Sequence, residues 1–448
     1  MQIKKQQLEP DMVSRRILNR WFLTALLAAC ATLTAHGQAA GTYTPYSIYG
    51  VGDLSQPGSA YNKTMGGVGV ALRNNRYLNL LNPAAVTARD SLAFMADFSL
   101  YNDNKIFRQE GIKSASNTFN INNLAMSFPL WHNAAMMVGI MPFSDTGFGY
   151  SFDYTDPEVI GQTGNINYSA TGKGSIYKAF AAAGMTFFKR VSVGAQWNTY
   201  FGMIEKNFYT EFNDASYNSI RNGSKGQITG NNFKFGVQYE QPLGGKHSLT
   251  LGATYTTAAT LSGTMESFRY SGGTAAADTL FYKLETLGVD SKVQLASEFA
   301  VGVTFQEKGR WSASFDYSRS DWSKCGLDGA RGFTASKAFT ASTTETYRAG
   351  FEIVPNRNDI RYYMNHVAYR AGAYHKKEYY LLNGSPVTST GITLGVTLPI
   401  VNGYNGLTLG VDFGQRGNLG GEMIRERYIN FSVGFNLFDI WFRKHQYD

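Results

Sequence analysis

The side chains best able to make or break bonds are few in this sequence and far apart. It holds six His and two Cys in 448 residues. His36 sits in an N-terminal leader and His445 in a C-terminal tail. His132, His247 and His366 fall in or beside short turns, and His375 stands alone near a longer loop. His366 and His375 are nine apart, an odd separation that turns them to opposite faces of one strand. No His-Glu-x-x-His, paired-Cys or Gly-x-Ser-x-Gly spacing occurs. Gly67-Val68-Gly69 imitates a phosphate-cradling loop, but the preceding strand, following helix and third Gly are missing. The sequence therefore predicts no enzyme, no catalytic residue, no metal site and no cofactor. A second group is charged: Asp97, Lys234, Glu298, Asp316, Arg348, Glu352 and Asp412. If these face inward they either pair with one another, as buried charges must, or form a relay that guides a carboxylate headgroup.

The segments carrying these charges read as strands. In Tyr428–Phe438, Ile429, Phe431, Val433, Phe435 and Leu437 alternate with Asn430, Ser432, Gly434 and Asn436. Such alternation gives one oily and one wet face. It recurs along most of the chain, with Gly, Ser and Asn on the wet face. An apolar exterior around a polar, small-residue interior is the pattern of a transmembrane β-barrel. Charged residues are only 17%, Tyr number 28, Phe 30 and Gly 48. A disordered chain would have few aromatics. A net charge of +8 without a basic run excludes a nucleic-acid partner.

Short Pro-, Gly- or Asn-containing connections lie at 129–133, 188–190, 242–248, 307–310, 355–365 and 399–405. Longer polar ones lie at 102–117, 144–174, 204–227, 259–291, 323–344, 377–387 and 417–426. Thirteen connections join fourteen strands, and an even count puts both ends of the wall on the periplasmic side. The predicted fold class is all-β: a 14-strand antiparallel transmembrane barrel. The fourth strand, from Tyr177 to Phe187, has a weak apolar face. Extra strand is expected to hide in 144–174 and 259–291. Trp131, Trp311 and Trp441 are expected at the periplasmic interface and Trp322 at the outer one.

Arg15, Arg16 and Arg20 precede an apolar run from Trp21 to Leu33, and Ala35-His36-Gly37 offers a cleavage pattern before Gln38. Residues 1–37 thus read as a signal peptide. Leu27-Ala28-Ala29-Cys30 also fits a lipoprotein box, but polar tether residues do not follow it. With Cys30 removed, Cys325 has no partner for an internal disulfide.

Before the first strand, alternation fails and Gly-rich pieces suggest a compact plug. Gly66, Gly67 and Ala71 are followed about a dozen residues later by Asn82, Pro83 and Ala84. This layout resembles the N-terminal hatch of the FadL-type outer-membrane transporters of hydrophobic compounds. Gly172-Lys173-Gly174-Ser175 leading to Tyr177, and Val191-Ser192-Val193-Gly194 leading to Tyr200-Phe201-Gly202, also resemble that family. The resemblance implies a hatch over 38–90, a barrel over 91–438 and a periplasmic tail over 439–448. It implies passive transport of long-chain fatty acids or other hydrophobic small molecules across a Gram-negative outer membrane, in contact with its lipid. It also implies a kinked third strand that opens sideways, for which Gly139, Pro142 and Gly147 are candidates; the alternative is that the strand simply ends at Pro142. No ligand-pocket residue can be carried over. Some FadL-like barrels resemble scaffolds instead, which implies outer-membrane or periplasmic protein partners in a secretion or assembly machine.

Overall fold

A computed structural model describes residues 41–440, apart from 91, 110, 215, 274–275, 335–336, 401–404 and 421–422. The leader, Cys30, Trp441 and the tail from 441 onward lie outside the described residues. The N-terminal segment contributes one short strand, β1 (Asp53–Leu54). The wall begins with β2 (Ala93–Gln109) and β3 (Ile112–Trp131), then β4 (Ala134–Asp145) with its continuation β5 (Phe148–Asp153). β6 (Ile166–Phe187), β7 (Val191–Phe212), β8 (Ile220–Gly244), β9 (His247–Thr256), β10 (Ala259–Gly273) and β11 (Ala276–Leu287) follow. After β12 (Gln294–Leu295) come β13 (Glu298–Glu307), β14 (Trp311–Asp321), β15 (Phe339–Ala341) and β16 (Thr343–Ile353). β17 (Ala368–Leu382), β18 (Ser385–Pro399), β19 (Gly406–Arg416) and β20 (Arg425–Ile440) complete it. β4 with β5, β9 with β10, β11 to β13, and β15 with β16 each make one crossing, so the wall has fourteen. Antiparallel pairing of β2 with β20, from Ala93↔Ile440 to Arg108↔Arg425, closes the ring.

The alternation decides which face turns inward. On β20, Tyr428, Asn430, Ser432 and Asn436 are buried, whereas Ile429, Phe431 and Leu437 are exposed. Phe233, Phe235, Phe315, Phe351, Leu394 and Phe413 continue that exposed apolar belt around the wall. Water would penalise so much bare apolar surface; hydrocarbon covers it without cost. No helix among the described residues is long and apolar enough to cross a membrane. All six expected short turns fall between strands, at the end of the wall where β2 begins and β20 finishes. Short turns mark the periplasmic end.

As expected, the 144–174 and 259–291 stretches hold extra strand: β6 pairs with β7 from Phe187↔Val191 out to Ile166↔Phe212, and β10 with β11 makes a further hairpin. The structure departs from the sequence reading at other points, and much of 204–227 is ladder rather than loop. Polar strands beyond the bilayer have no lipid face to mark them. The fourth crossing, β6, is 22 residues long despite its weak apolar face. The wall strands run from Ala93 to Ile440. Trp322 does not reach the outer interface; it is buried, its ring 4.9 Å from that of Tyr379. The third crossing does not end at Pro142: β4 continues to Asp145 and keeps pairing with β6, with a bulge between Pro142 and Ser144. Proline has no N–H for the ladder, and the bulge absorbs that loss.

Candidate functional site

Residues 59–88 meet the inner faces of most wall strands, and glycine makes the fit possible. Gly66 and Gly67 have φ of +70° and +81°. A side chain there would be strained, and a Cβ on Gly66 would lie 2.8 Å from the carbonyl oxygens of Ala349 and Ala373. The wall answers with its own glycines. A Cβ on Gly372 would stand 2.2 Å from the Gly66 nitrogen, and one on Gly350 2.5 Å from the Met65 oxygen. Gly395 and Gly410 receive Thr64, Gly434 receives Ala60, Gly252 receives Val70, and Gly194 and Gly236 receive Asn82 and Pro83. Many are register neighbours: Gly184↔Gly194, Gly194↔Gly236, Gly252↔Gly302, Gly350↔Gly372 and Gly395↔Gly410. They form a girdle of missing side chains in which backbone rests on backbone.

Polar groups finish this seat. The Asp316 carboxylate on β14 accepts the Gly69 and Val70 N–H groups at 2.6 and 2.9 Å. Gly66 N–H donates to Thr393 Oγ1 at 2.8 Å. Gln238 Nε2 and Asn82 Nδ2 donate to the Val70 carbonyl at 2.9 and 2.7 Å. Arg370 on β17 pairs with Glu352 at 2.7 Å, with its guanidinium 4.5 Å from the Tyr61 ring and 4.7 Å from that of Tyr77. Of the expected motif residues, Ala71 is buried against Gly252. Asn82 caps the 3-10 turn Pro83–Thr87 by accepting the Ala84 N–H at 3.0 Å.

Residues 41–55 lie toward the outer end, among charges. Arg416 pairs with Asp53 at 2.8 Å and with Glu378 at 3.4 Å. Lys105 pairs with Asp103 at 3.3 Å and Glu426 at 3.6 Å. Thr44 Oγ1 donates to Glu426 at 2.7 Å. A cavity of about 110 Å³ opens among these groups, with Lys63, Asp145, Lys376 and Asp412 also on its lining. A neighbouring cavity of about 170 Å³ has Met141, Phe143, Leu295 and Trp322 on its apolar side and Lys178, Lys234, Glu298 and Arg348 on its charged side. The inward charges read from the sequence are thus all inside. Glu352 pairs with Arg370 and Asp316 accepts two backbone N–H groups, while Asp97 accepts the Asn123 amide, Asp412 the Tyr374 hydroxyl, Arg348 donates to Ser318, and Lys234 and Glu298 line the second cavity.

Pro142 lines both cavities. It also marks a break in the wall: the β3–β4 ladder runs only from Trp131↔Ala134 to Leu124↔Ile140. Beyond it β1 takes the free edge of β4, pairing Leu54 with Ser144 and Asp53 with Asp145. Gly147 accepts the Thr44 N–H at 2.8 Å and the Ser47 hydroxyl at 2.9 Å. Gly139 sits where a Cβ would strike the Phe180 ring at 2.7 Å. The three candidate gate residues therefore surround one break, and the N-terminal segment fills it. The histidines remain dispersed: His375 bonds Thr390, and His366 bonds the Asp359 carbonyl. No group of metal-ligating side chains occurs among the described residues.

A family model described as BamG matches residues 18–448. Comparison with curated protein sequences found no match. Among solved structures, the Ralstonia pickettii toluene transporter TbuX is 13% identical, with a TM-score of 0.58 over 85% of this chain and 98% of that one. A Pseudomonas aeruginosa FadL homologue is 13% identical, with a TM-score of 0.57 over 86% and 98%. The P. putida toluene transporter TodX is 13% identical, with a TM-score of 0.57 over 88% and 100%. At this identity the likeness establishes the fold. The FadL-type resemblance read from the motifs holds at that level, while the matching family carries a different name.

Proposed function

The chain belongs to the BamG family, and from that premise we propose that it is a protein-binding outer-membrane barrel, a subunit or scaffold of a secretion or assembly machine. The lining of the outer cavity carries this reading. Asp53, Lys105, Glu378, Arg416 and Glu426 stand around it in contact with one another. An apolar solute entering there would strip water from ion pairs and return little in exchange. The break at Pro142 is filled by β1, and residues 59–88 serve as a fixed hatch below it. The match to the BamG family is compatible with a protein partner.

A second reading rests on the break itself. Gly139, Pro142 and Gly147 would form a lateral gate, and the mixed cavity behind it would pass a hydrophobic molecule such as a long-chain fatty acid. The proteins of like fold include toluene transporters. Blue-native electrophoresis after mild detergent extraction separates the two. A large complex containing this barrel is expected; a lone barrel with bound lipid would favour transport. In that case Pro142→Val, which can restore the ladder, should change uptake of a labelled fatty acid at equal amounts of folded barrel. Unaltered uptake would remove Pro142 as the gate.

A further inference from the structure

Five of the six periplasmic turns are short, and the sixth is not. Two residues join β3 to β4 and β8 to β9, three join β6 to β7 and β13 to β14, and six join β18 to β19. Fourteen residues, 354–367, join β16 to β17. A connection of that length at the short-turn end of a barrel costs ordering entropy and needs a reason. This one is ordered by a single carboxylate. Asp359 accepts the N–H groups of Arg361 and Tyr362 at 2.7 and 3.0 Å and the Asn365 side-chain amide. Asn356 N–H closes the base of the turn on the Asn365 carbonyl at 2.9 Å. Tyr363 OH donates to the Pro399 carbonyl of the next turn at 2.9 Å.

What the turn presents is apolar. Ile360 is 100% exposed, and Tyr362, Met364 and Tyr363 are 66%, 59% and 51% exposed. Four adjacent, bare, large side chains on a preorganised turn have the make-up of an interface core. Their setting is basic. A cavity of about 520 Å³ opens at the periplasmic mouth, and Arg357 from the same turn lines it. The cations around it include Arg73, Arg89, Lys308, Arg310 and Arg357, against three carboxylates, Glu240, Glu307 and Glu352. Those three are already engaged: Arg73 and Lys308 share Glu240, Arg310 holds Glu307, and Arg357 and Arg370 share Glu352. Arg89 donates to Ser127 Oγ at 2.7 Å, and its Nε and Nη2 are buried with no partner among the described residues. The mouth thus has donors and positive charge left over.

We propose that the crown of residues 360–364 and the adjoining basic mouth form one docking surface for an acidic segment of a periplasmic protein. Apolar side chains of that segment pack on Ile360, Tyr362 and Met364, and its carboxylates enter the mouth toward Arg89 and Arg357. Carboxylate rather than neutral polar groups follows from the surplus of guanidinium donors, which pair best with planar anions. This inference rests on the protein-binding reading above and names the chemistry of its partner.

The test uses the full-length barrel in its native membrane. The double variant Ile360→Ser with Met364→Ser spares every hydrogen bond of the turn. It should fold, as judged by heat-modifiable gel mobility, and its large complex on a blue-native gel should weaken about tenfold, the size of a lost apolar anchor. Lys308→Glu with Arg310→Glu should weaken the complex and flatten its dependence on salt. A benzophenone side chain placed at position 360 should cross-link to a protein at a peptide rich in Asp and Glu. A complex that survives both double variants overturns the docking surface while leaving the protein-binding reading in place. So does a cross-link only to lipid, which would make the crown a membrane anchor, or only to a second copy of this chain. A parent barrel that migrates alone sinks the protein-binding reading and this inference with it.

Discussion

The two halves of the N-terminal segment are held by opposite physics. Residues 59–88 rest on glycines, backbone against backbone, with Asp316, Gln238 and Thr393 satisfying the exposed amides and carbonyls. Residues 41–55 are held among charges, with Asp53 paired to Arg416 and the Thr44 hydroxyl donating to Glu426. Contact of the first kind is set by volume and direction; it cannot be adjusted without displacing a chain. Contact of the second kind depends on charge and on the water that competes for it. If residues 59–88 act as the proposed hatch, the glycine-seated part is its fixed portion, and residues 41–55, which also fill the break beside Pro142, are the part a change of charge or a partner would release.

The largest effect should come from the seat. Gly372→Val puts a branched side chain into the Gly66 backbone, where a Cβ alone would already lie 2.2 Å from the nitrogen. Neither backbone can yield cheaply, so the loss should exceed the ordinary overpacking cost of about 1–3 kcal/mol. We expect a folded, heat-modifiable barrel in which residues 59–88 become open to protease and ion conductance in planar bilayers rises. Gly161→Val is the control, since nothing lies within 4 Å of a Cβ there. Unchanged conductance with residues 59–88 still protected would mean that the girdle is not a seat.

Arg416→Met attacks the other half. It leaves Asp53, Glu378 and Glu426 each short of a partner in a buried cluster. Removing one member of a buried pair costs about 3–5 kcal/mol, and the slight exposure of Arg416 places this variant near the lower bound. Hydrogen exchange should quicken across 41–55 while 59–88 stays protected. Equal loss in both halves would show that they move as one body and would end the distinction drawn here.

Where the sequence was legible, one period carried it. Alternation located the strands, and Pro, Gly and Asn located the periplasmic turns, because both signals are local. The girdle was visible only as small residues on the wet face. That Gly350 faces Gly372, and Gly194 faces Gly236, depends on register between strands, which no single strand encodes. Trp322 misled because its place near a strand end suits an interface, and only the packing with Tyr379 turns it inward. The basic mouth was hidden for the same reason as the girdle: Arg73, Lys308 and Arg357 are far apart in the chain and meet only once the barrel closes. The long turn reads from the sequence as one of six short connections, at 355–365; its fourteen-residue length and its exposed crown needed the fold.

The smallest effect should appear on that turn, which is anchored as the upper half is, by a carboxylate, but in water. Hydrogen bonds from Asn365, Arg361 and Tyr362 hold the Asp359 carboxyl below its ordinary range. A depressed folded value means that the ordering is fully present above the unfolded value of about 4 and is lost as pH falls through the folded one. Exchange protection of residues 356–366, corrected for intrinsic rates, should therefore be flat from neutral pH to about 5 and fall below the carboxylate range. Asp359→Asn keeps one acceptor but cannot titrate, so its protection should be lower throughout and independent of pH. Residues 64–66, seated on Gly350, Gly372 and Gly395 and not on the Asp316 carboxylate, should show no comparable step in either protein, since the Gly66–Gly372 contact has no proton to gain. A step shared by both regions would assign the acid response to the barrel as a whole and not to the charges that hold its adjustable parts.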